Sequence, residues 1–178
     1  MRQVINFDHN WYFQKENTGM PETLPEDWEA VDLPHTWNGV DGQDGRGDYH
    51  RGICWYAKSF KAPKRMEGSR VYVEILAAAL SGRVYVNGTE AVYHEGGFSS
   101  FRADITDLLK ENGENLMAIE VDNSQKSNIY PQMADFTFYG GLYRGVNLIV
   151  VSEAHFDLDF FGAPGLKITP KVTGQGAM

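Results

Sequence analysis

The side chains with the clearest chemical potential lie in two long polar loops. The first loop, Trp37–Tyr56, is rich in glycine. It places oxygen-bearing side chains next to a basic pair, and these residues are Asn38, Asp41, Asp44, Asp48, His50 and Arg51. Carboxylates beside aromatic rings suit the hydroxyls and flat faces of sugars, whereas the alternative is a solvated loop. Long loops inside compact domains are usually functional or disordered, so both interpretations stay open.

The second loop runs from Asp122 to Val146, and its one acidic residue after Asp122 is Asp135, directly before the alternating "FTFYGG". An acidic residue in this place usually caps a turn, and a functional role is the alternative. Gly140 and Gly141 permit a tight turn or a close approach of two backbones. From composition alone, Asp135 is therefore one candidate among several.

Composition excludes several other kinds of site. The formal charge of −8 and the pI of about 5.0 argue against a nucleic-acid partner, which needs a basic face. Cys54 is the only cysteine, so an intrachain disulfide and a thiol zinc site are excluded, and we interpret it as a small core residue. The five histidines lack metal-ligand spacing, and no nucleotide-binding or serine-hydrolase motif is present.

Paired carboxylates could cleave a glycosidic bond if they faced each other across a sugar ring. The chain has 24 acidic residues, and spacing alone does not identify such a pair. The "DLD" at Asp157–Asp159 would put two carboxylates on one face of a strand, which is more often a solvated edge.

These side chains must be positioned by strands. Short segments rich in Val, Ile, Tyr and Phe recur along the chain, several with a period of two, as in Val71, Val73 and Ile75. They are 2–7, 55–62, 69–76, 83–88, 90–95, 115–122, 145–152 and 165–172. Only "ADITDLLKENG" predicts a helical turn, ending at Gly113. The pattern predicts an all-β sandwich or jelly roll with little helix.

The pair Asn87-Gly88 also has two interpretations. Flanked by alternating residues, it predicts a type I′ hairpin turn, because both central positions need positive φ. With Thr89 it also spells an N-glycosylation acceptor. We favour the turn and treat the acceptor pattern as its by-product.

An ordered set of segments resembles the N-terminal sugar-binding domain of glycoside hydrolase family 2, which includes β-galactosidases, β-glucuronidases and β-mannosidases. The segments are "LPHTWN", "YHRGICWYAKSF", "VYVNGTEAVYHEGGFSSFRADIT", "NLMAIEVDN" and "DFTFYGGLYRGV", and together they span nearly the whole chain. "DGQDG" and "YPQMADFTFYGGLYR" look most like the β-galactosidase branch.

The resemblance implies a galactose-binding-domain-like jelly roll over residues 1–165. It implies that residues 166–178 begin a truncated immunoglobulin-like domain or a linker. In the family, the two catalytic glutamates lie on a later TIM barrel, so we expect no catalytic residue here. The resemblance assigns Asp135 to the rim of the sugar site and to a sodium or magnesium ion of the parent enzyme. It places the loop with Asp41 and Asp44 near the same sugar.

Two further positions follow from the resemblance as structural ones. Arg144 is expected to form a salt bridge. The glycines of "EGGFSSF" are expected to shape a turn from which Phe101 packs between the sheets.

We therefore expect a non-catalytic domain of a retaining, β-galactosidase-like enzyme in carbohydrate metabolism. Its partners would be a β-galactoside and the other domains of the same chain, with a homo-oligomer possible and with neither nucleic acid nor membrane. The compartment would be the cytoplasm, or the periplasm or exterior if a signal peptide was removed. A free-standing carbohydrate-binding module and a purely structural domain are the alternatives.

Overall fold

The computed structural model of the chain describes residues 2–43, 48–160, 162–174 and 176–177. Antiparallel strands form nearly all of its regular structure. The strands are β1 Arg2–Asn6, β2 Trp11–Gln14, β3 Glu29–Val31, β4 Ile53–Lys61, β5 Arg70–Ile75, β6 Ser81–Val86, β7 Thr89–Glu95, β8 Phe101–Asp104, β9 Glu114–Asp122, β10 Val146–Val151, β11 Val172–Thr173 and β12 Gly176–Ala177. A single 3₁₀ turn, Thr106–Leu108, follows β8. This turn, which is all the helix in the described ranges, cannot cross a bilayer.

Two sheets face each other as a jelly-roll β-sandwich, which confirms the predicted fold class. The larger sheet has the strand order β3-β2-β4-β9-β6-β7, and the smaller has the order β1-β10-β5-β8. Strand β4 pairs with β9 along its whole length, from Ile53 opposite Asp122 to Lys61 opposite Glu114. The inward-facing side chains of both sheets meet in one core. Burial of this apolar area is the main stabilising contribution.

Strand β5 is buried on both faces, although the sequence predicts only one buried face. Val71, Val73 and Ile75 point into the core, as the period of two predicts. Tyr72 and Glu74, on the other face, are also buried, with 7% of each residue exposed. The outer face of the smaller sheet must therefore be covered by another part of the chain.

The cover is the segment that follows β10. Its Leu158 packs against Tyr72 and Ile149 on the outer face of the smaller sheet. A buried ion pair holds it there. The Nε and Nη2 atoms of Arg102 each lie 2.7 Å from Oε1 of Glu74. The Nη1 atom of Arg102 donates to the carbonyls of Leu158 and Ala163, at 3.4 and 3.3 Å.

The turn at Asn87-Gly88 is confirmed, because both residues have positive φ, 51° and 84°. The Asn87 side chain is also fully used. Its Nδ2 donates to the carbonyl of Leu108 and to Oδ1 of Asn115, both at 2.8 Å, and its Oδ1 accepts from the backbone N–H of Leu116 at 3.0 Å. The asparagine therefore fastens the turn to the neighbouring segment.

Two predictions of strand are wrong. Residues 165–171 form no strand in the described structure, and the side chains of 166–172 are exposed, so no neighbouring strand supplies the hydrogen bonds that an extended segment needs. Asp157 and Asp159 also lie outside any strand. The carboxylate of Asp157 instead accepts from the N–H of Asp159 at 2.8 Å, in a local turn. The proposed division at residue 165 stays a prediction.

Cys54 is confirmed as a core residue, and its thiol should be inert. The side chain is fully buried, and Sγ donates to the carbonyl of Lys15 at 3.2 Å. Burial raises its pKa to about 12. Because the thiolate is the reactive form, we expect less than about 1% of the labelling rate of a free cysteine in the native protein. Titration with Ellman's reagent, with and without denaturant, measures this. Fast labelling of native protein would contradict it.

Candidate functional site

The two polar loops of the sequence meet at one end of the sandwich, around the buried side chain of Asn38. This residue has no exposed surface. Its Nδ2 donates to Oδ1 of Asp41 and to the carbonyl of His50, both at 3.0 Å. Its Oδ1 accepts from the N–H of Gly140 at 2.8 Å and from Nδ2 of Asn123 at 3.2 Å. One amide group thus joins three segments that are distant in sequence.

Asn123, at the end of β9, completes this junction. It is also fully buried. Its Nδ2 donates to the carbonyl of Phe138 at 2.9 Å, and its Oδ1 accepts from the N–H of Gly52 at 2.9 Å. Arg51 donates through Nε to the Asn123 carbonyl at 2.8 Å. Buried polar groups are stable only when they are paired in this way.

Gly140 and Gly141 are needed at the junction because there is no space for a side chain at either position. A Cβ on Gly140 would lie 1.9 Å from Cζ2 of Trp37, and a Cβ on Gly141 would lie 2.3 Å from the carbonyl oxygen of His35. Gly141 also has a φ of 133°, which favours glycine. The predicted close approach of two backbones is thus present. It fixes the segment that follows Asp135 against Trp37.

Asp41 lies in this junction, and its carboxylate is already occupied. Oδ2 accepts from Nζ of Lys15 and from the N–H of His50, both at 3.2 Å, and Oδ1 accepts from Asn38. Partial burial disfavours the charged form, but the hydrogen bonds from Asn38, His50 and Lys15 outweigh it and lower the pKa of the carboxyl. In this geometry the carboxylate of Asp41 stabilises the conformation of its own loop.

The other polar residues of the first loop have different outcomes in the structure. Asp44 lies outside the described residues, so its predicted sugar contact stays a prediction. Asp48 is exposed. Asn38 is buried, and its amide is fully bonded within the protein.

Asp135 differs from Asp41 in its exposure and in its hydrogen bonding. Its side chain is exposed. Within the described ranges, no hydrogen bond or ion pair engages its carboxylate. The segment that follows it is nevertheless anchored, since Thr137 donates to the carbonyl of Gly42 at 2.9 Å and Gly140 is held by Asn38. A free carboxylate on an anchored segment is suited to binding a partner outside this chain.

The surface beside Asp135 is apolar. Phe98, Phe136 and Tyr139 are exposed at 54%, 52% and 37%. Together with Tyr143 they line a cleft of about 350 Å³ whose walls are almost entirely aromatic and aliphatic. We call Phe98, Phe136, Tyr139 and Tyr143 the aromatic face. Contiguous apolar surface of this kind marks a site of interaction.

Arg144 and Phe101 are the two structural positions that the resemblance implies. Arg144 makes no ion pair with a carboxylate of the described residues, so the salt bridge stays a prediction. It donates instead to the carbonyl of Phe98 at 3.2 Å, and Tyr143 donates to the carbonyl of Gly97, so both residues support the turn. Phe101 is buried as expected. Over the same residues, no three metal-binding side chains converge.

Comparison with known proteins decides the family. Residues 40–152 match glycosyl hydrolases family 2, sugar binding domain. The chain belongs to glycoside hydrolase family 2. This match includes Asp135, the aromatic face and most of the junction around Asn38, and the match and the two-sheet fold agree with the resemblance drawn from the sequence.

Relatives of this family 2 domain carry two enzyme names. A β-glucuronidase of Bacteroides fragilis is 32% identical over 96% of this chain and 24% of its own length. A β-galactosidase of Thermoanaerobacter pseudethanolicus is 32% identical over 90% of this chain and 22% of its own. The crystal structure of an FMN-binding β-glucuronidase from Facaelibacterium prausnitzii L2-6 is 53% identical, with a TM-score of 0.87 over 99% of this chain and 27% of that chain. The family 2 domain therefore spans about a quarter of the length of these relatives.

Sequence reasoning located the two loops of the family 2 domain but did not find the residues that join them. Asn38 and Asn123 close the segments "LPHTWN" and "NLMAIEVDN", which look unremarkable because asparagine after a strand usually forms a turn. The only available signal was that each stands next to a buried run. The partner of a buried amide is set by tertiary packing, which periodicity does not reveal.

Proposed function

We propose that this chain is the non-catalytic N-terminal domain of a longer retaining glycosidase. The observation that carries the proposal is the free carboxylate of Asp135 on an anchored segment beside the aromatic face. The relatives are about four times longer than the chain and are glycosidases, which supports a parent enzyme with further domains. In this proposal the catalytic acid/base and nucleophile belong to a barrel outside these residues.

The aromatic face is the proposed contact with that barrel. Tyr130 and Met133, on the same loop as Asp135, add further exposed apolar surface at 78% and 90%. Burial of apolar area stabilises an interface by about 25 cal/mol per Å² before the costs of association. Docking of the barrel on this face would bring the carboxylate of Asp135 to the edge of its sugar pocket.

The chemistry of Asp135 in that position is binding. An ionised carboxylate accepts hydrogen bonds from sugar hydroxyls and holds the ring in register with the catalytic glutamates. It would also supply one oxygen ligand to a sodium or magnesium ion of the parent enzyme, since such ions prefer carboxylate oxygens. The remaining ligands would come from outside this chain.

For the sugar we propose the β-glucuronide class in place of the β-galactoside class that the sequence favoured. The support is the 53% identical relative from Facaelibacterium prausnitzii L2-6, which is a β-glucuronidase. The loop residues of this chain do not discriminate between the two sugars, because a carboxylate accepts from the ring hydroxyls of either.

The test replaces Asp135 by asparagine in the longest open reading frame that encodes this chain. We expect kcat/KM for 4-nitrophenyl β-D-glucuronide to fall roughly 100-fold, the effect of losing one positioning contact. Asp107→Asn is the matched control, because its exposed carboxylate lies beyond the opposite end of β5. The 178-residue chain alone should hydrolyse neither the glucuronide nor the galactoside. Turnover by the pure chain, or full activity of Asp135→Asn, would refute the proposal.

A further inference from the structure

A second cavity, distinct from the cleft beside Asp135, lies along β2 and the start of β3. It has a volume of about 400 Å³, within the range of small-molecule sites, about 300–1,000 Å³. Its walls are mainly polar, and Gln14, Asp27, Trp28, Glu29 and His35 contribute to them. The cavity shares Thr36 with the cleft beside Asp135, so the two sites lie on either side of one short segment.

Trp28 stands apart from the other tryptophans. Trp11 donates its indole N–H to the carbonyl of Phe7 at 2.8 Å, and Trp55 donates to Oδ1 of Asn17 at 2.9 Å. Trp37 donates to the carbonyl of His50 at 3.3 Å. Among the described residues, the indole of Trp28 has neither a hydrogen-bond acceptor nor a ring partner, although its side chain is partly buried. An indole with a free N–H at a polar cavity is a ready binding surface.

His35 supplies a second donor. The hydroxyl of Tyr56 lies 2.8 Å from Nδ1 of His35. Burial lowers the pKa of His35, so its ring is neutral. With the Tyr56 hydroxyl donating to Nδ1, the ring proton is assigned to Nε2, which is then available to a ligand in the cavity.

The acceptors are two carboxylates. Asp27 and Glu29 are exposed, and neither is engaged by a hydrogen bond or an ion pair within the described chain. The amide of Gln14 adds a donor, because its Oε1 accepts from the N–H of Glu16 at 3.3 Å while its nitrogen stays free. Donors and acceptors thus line the same cavity as the ring of Trp28, and sugar hydroxyls require both.

We propose that this cavity binds a neutral pyranose residue of a carbohydrate, with its apolar face on Trp28 and its hydroxyls on Asp27, Glu29 and His35. The two carboxylates favour a neutral sugar, since a uronic acid would bring a third negative charge next to them. The inference goes beyond the proposed function, because it concerns a site that these residues form by themselves. It would let the chain hold a neutral sugar next to the place where Asp135 serves the parent enzyme.

The test is a two-dimensional ¹⁵N NMR titration of the 178-residue chain with methyl β-D-glucopyranoside, methyl β-D-galactopyranoside and methyl β-D-glucuronide. We expect a neutral glycoside to shift the indole signal of Trp28 saturably, with a millimolar Kd, and to leave the three bonded indoles unmoved. The glucuronide should bind at least about tenfold more weakly. The double variant Asp27→Asn/Glu29→Gln should lose binding at least about tenfold, and its exposed positions should leave the fold intact.

Tyr130→Ala is the control, because it removes an exposed aromatic ring outside the cavity and should leave the titration unchanged. The proposal is overturned if no shift appears up to about 100 mM glycoside. It is also overturned if the glucuronide binds as well as the neutral sugars, or if the double variant binds like the original chain. None of these results bears on the role of Asp135, which is tested by the activity of the longer protein. Either proposal can therefore be refuted while the other stands.

Discussion

Gly140→Ala should lower the free energy of unfolding by about 3 kcal/mol, the upper end of the usual cost of overpacking. The added methyl carbon would lie 1.9, 2.2 and 2.6 Å from three atoms of the Trp37 ring. The ring cannot simply move away, because Trp37 is 93% buried and its N–H is bonded to the carbonyl of His50. Urea denaturation followed by circular dichroism measures the effect as a lower midpoint with an unchanged slope.

Gly39→Ala is the matched control, since it makes the same chemical change in the other loop that forms this junction. There the nearest atoms would lie 3.7 and 3.8 Å from the new carbon, an ordinary contact. We expect a change within about 0.5 kcal/mol. In a Trp37→Leu background, Gly140→Ala should cost less than in the original chain, because the two sites share one space. Equal costs in both backgrounds would show that the clash does not determine the stability of this junction.

Arg102→Met should lower the free energy of unfolding by about 3–5 kcal/mol, the usual cost of breaking a buried ion pair. The side chains of Arg102 and Glu74 are 10% and 9% exposed, so the variant would leave the carboxylate of Glu74 buried without its charge partner. Asn147 would remain as a donor to Oε2 at 2.9 Å. The carbonyls of Leu158 and Ala163 would also lose their donor.

The control for this pair is Arg83→Met, which removes partly exposed ion pairs with Glu90 and Glu120 and should cost at most about 1 kcal/mol. The double variant Glu74→Met/Arg102→Met should be more stable than Arg102→Met alone, since no charge is left unpaired. Hydrogen exchange provides a second measurement. The amides of the segment after β10 should exchange faster in Arg102→Met, while those of the core strands keep their order of protection. An unaffected covering segment would contradict its attachment through Arg102.

Much of the fold could be predicted because strands and hairpin turns leave a pattern within a few consecutive residues. The alternation of Val71, Val73 and Ile75 and the Asn87-Gly88 pair each depend on a few consecutive residues, and the structure confirms both. Segment 165–172 shows the limit of this reasoning. Its composition suits a strand, but a strand exists only where a neighbour supplies hydrogen bonds, and within the described chain no strand pairs with residues 165–171.

The candidate site was less predictable for the same physical reason. Asp41 and Asp135 are both aspartates in glycine-rich loops, and no local pattern separates them. The structure shows that Lys15, Asn38 and His50 occupy the carboxylate of Asp41, whereas no described residue bonds to the carboxylate of Asp135. The partners of Asp41 are Lys15, directly after β2, and Asn38 and His50 on either side of it in its own loop, so only tertiary structure distinguishes a structural carboxylate from a ligand-binding one.

The bonded amide of Asn87 has a consequence for producing this protein in a eukaryotic secretory host. Both hydrogens of its Nδ2 are already donated, to the Leu108 carbonyl and to Asn115, so attachment of an oligosaccharide would require at least one of these bonds to be absent. The transferase of the host would therefore compete with closure of the hairpin during synthesis. Chains that are glycosylated before the turn closes would lack a hydrogen bond from Asn87 that unmodified chains form. The host would therefore secrete two populations that differ in stability.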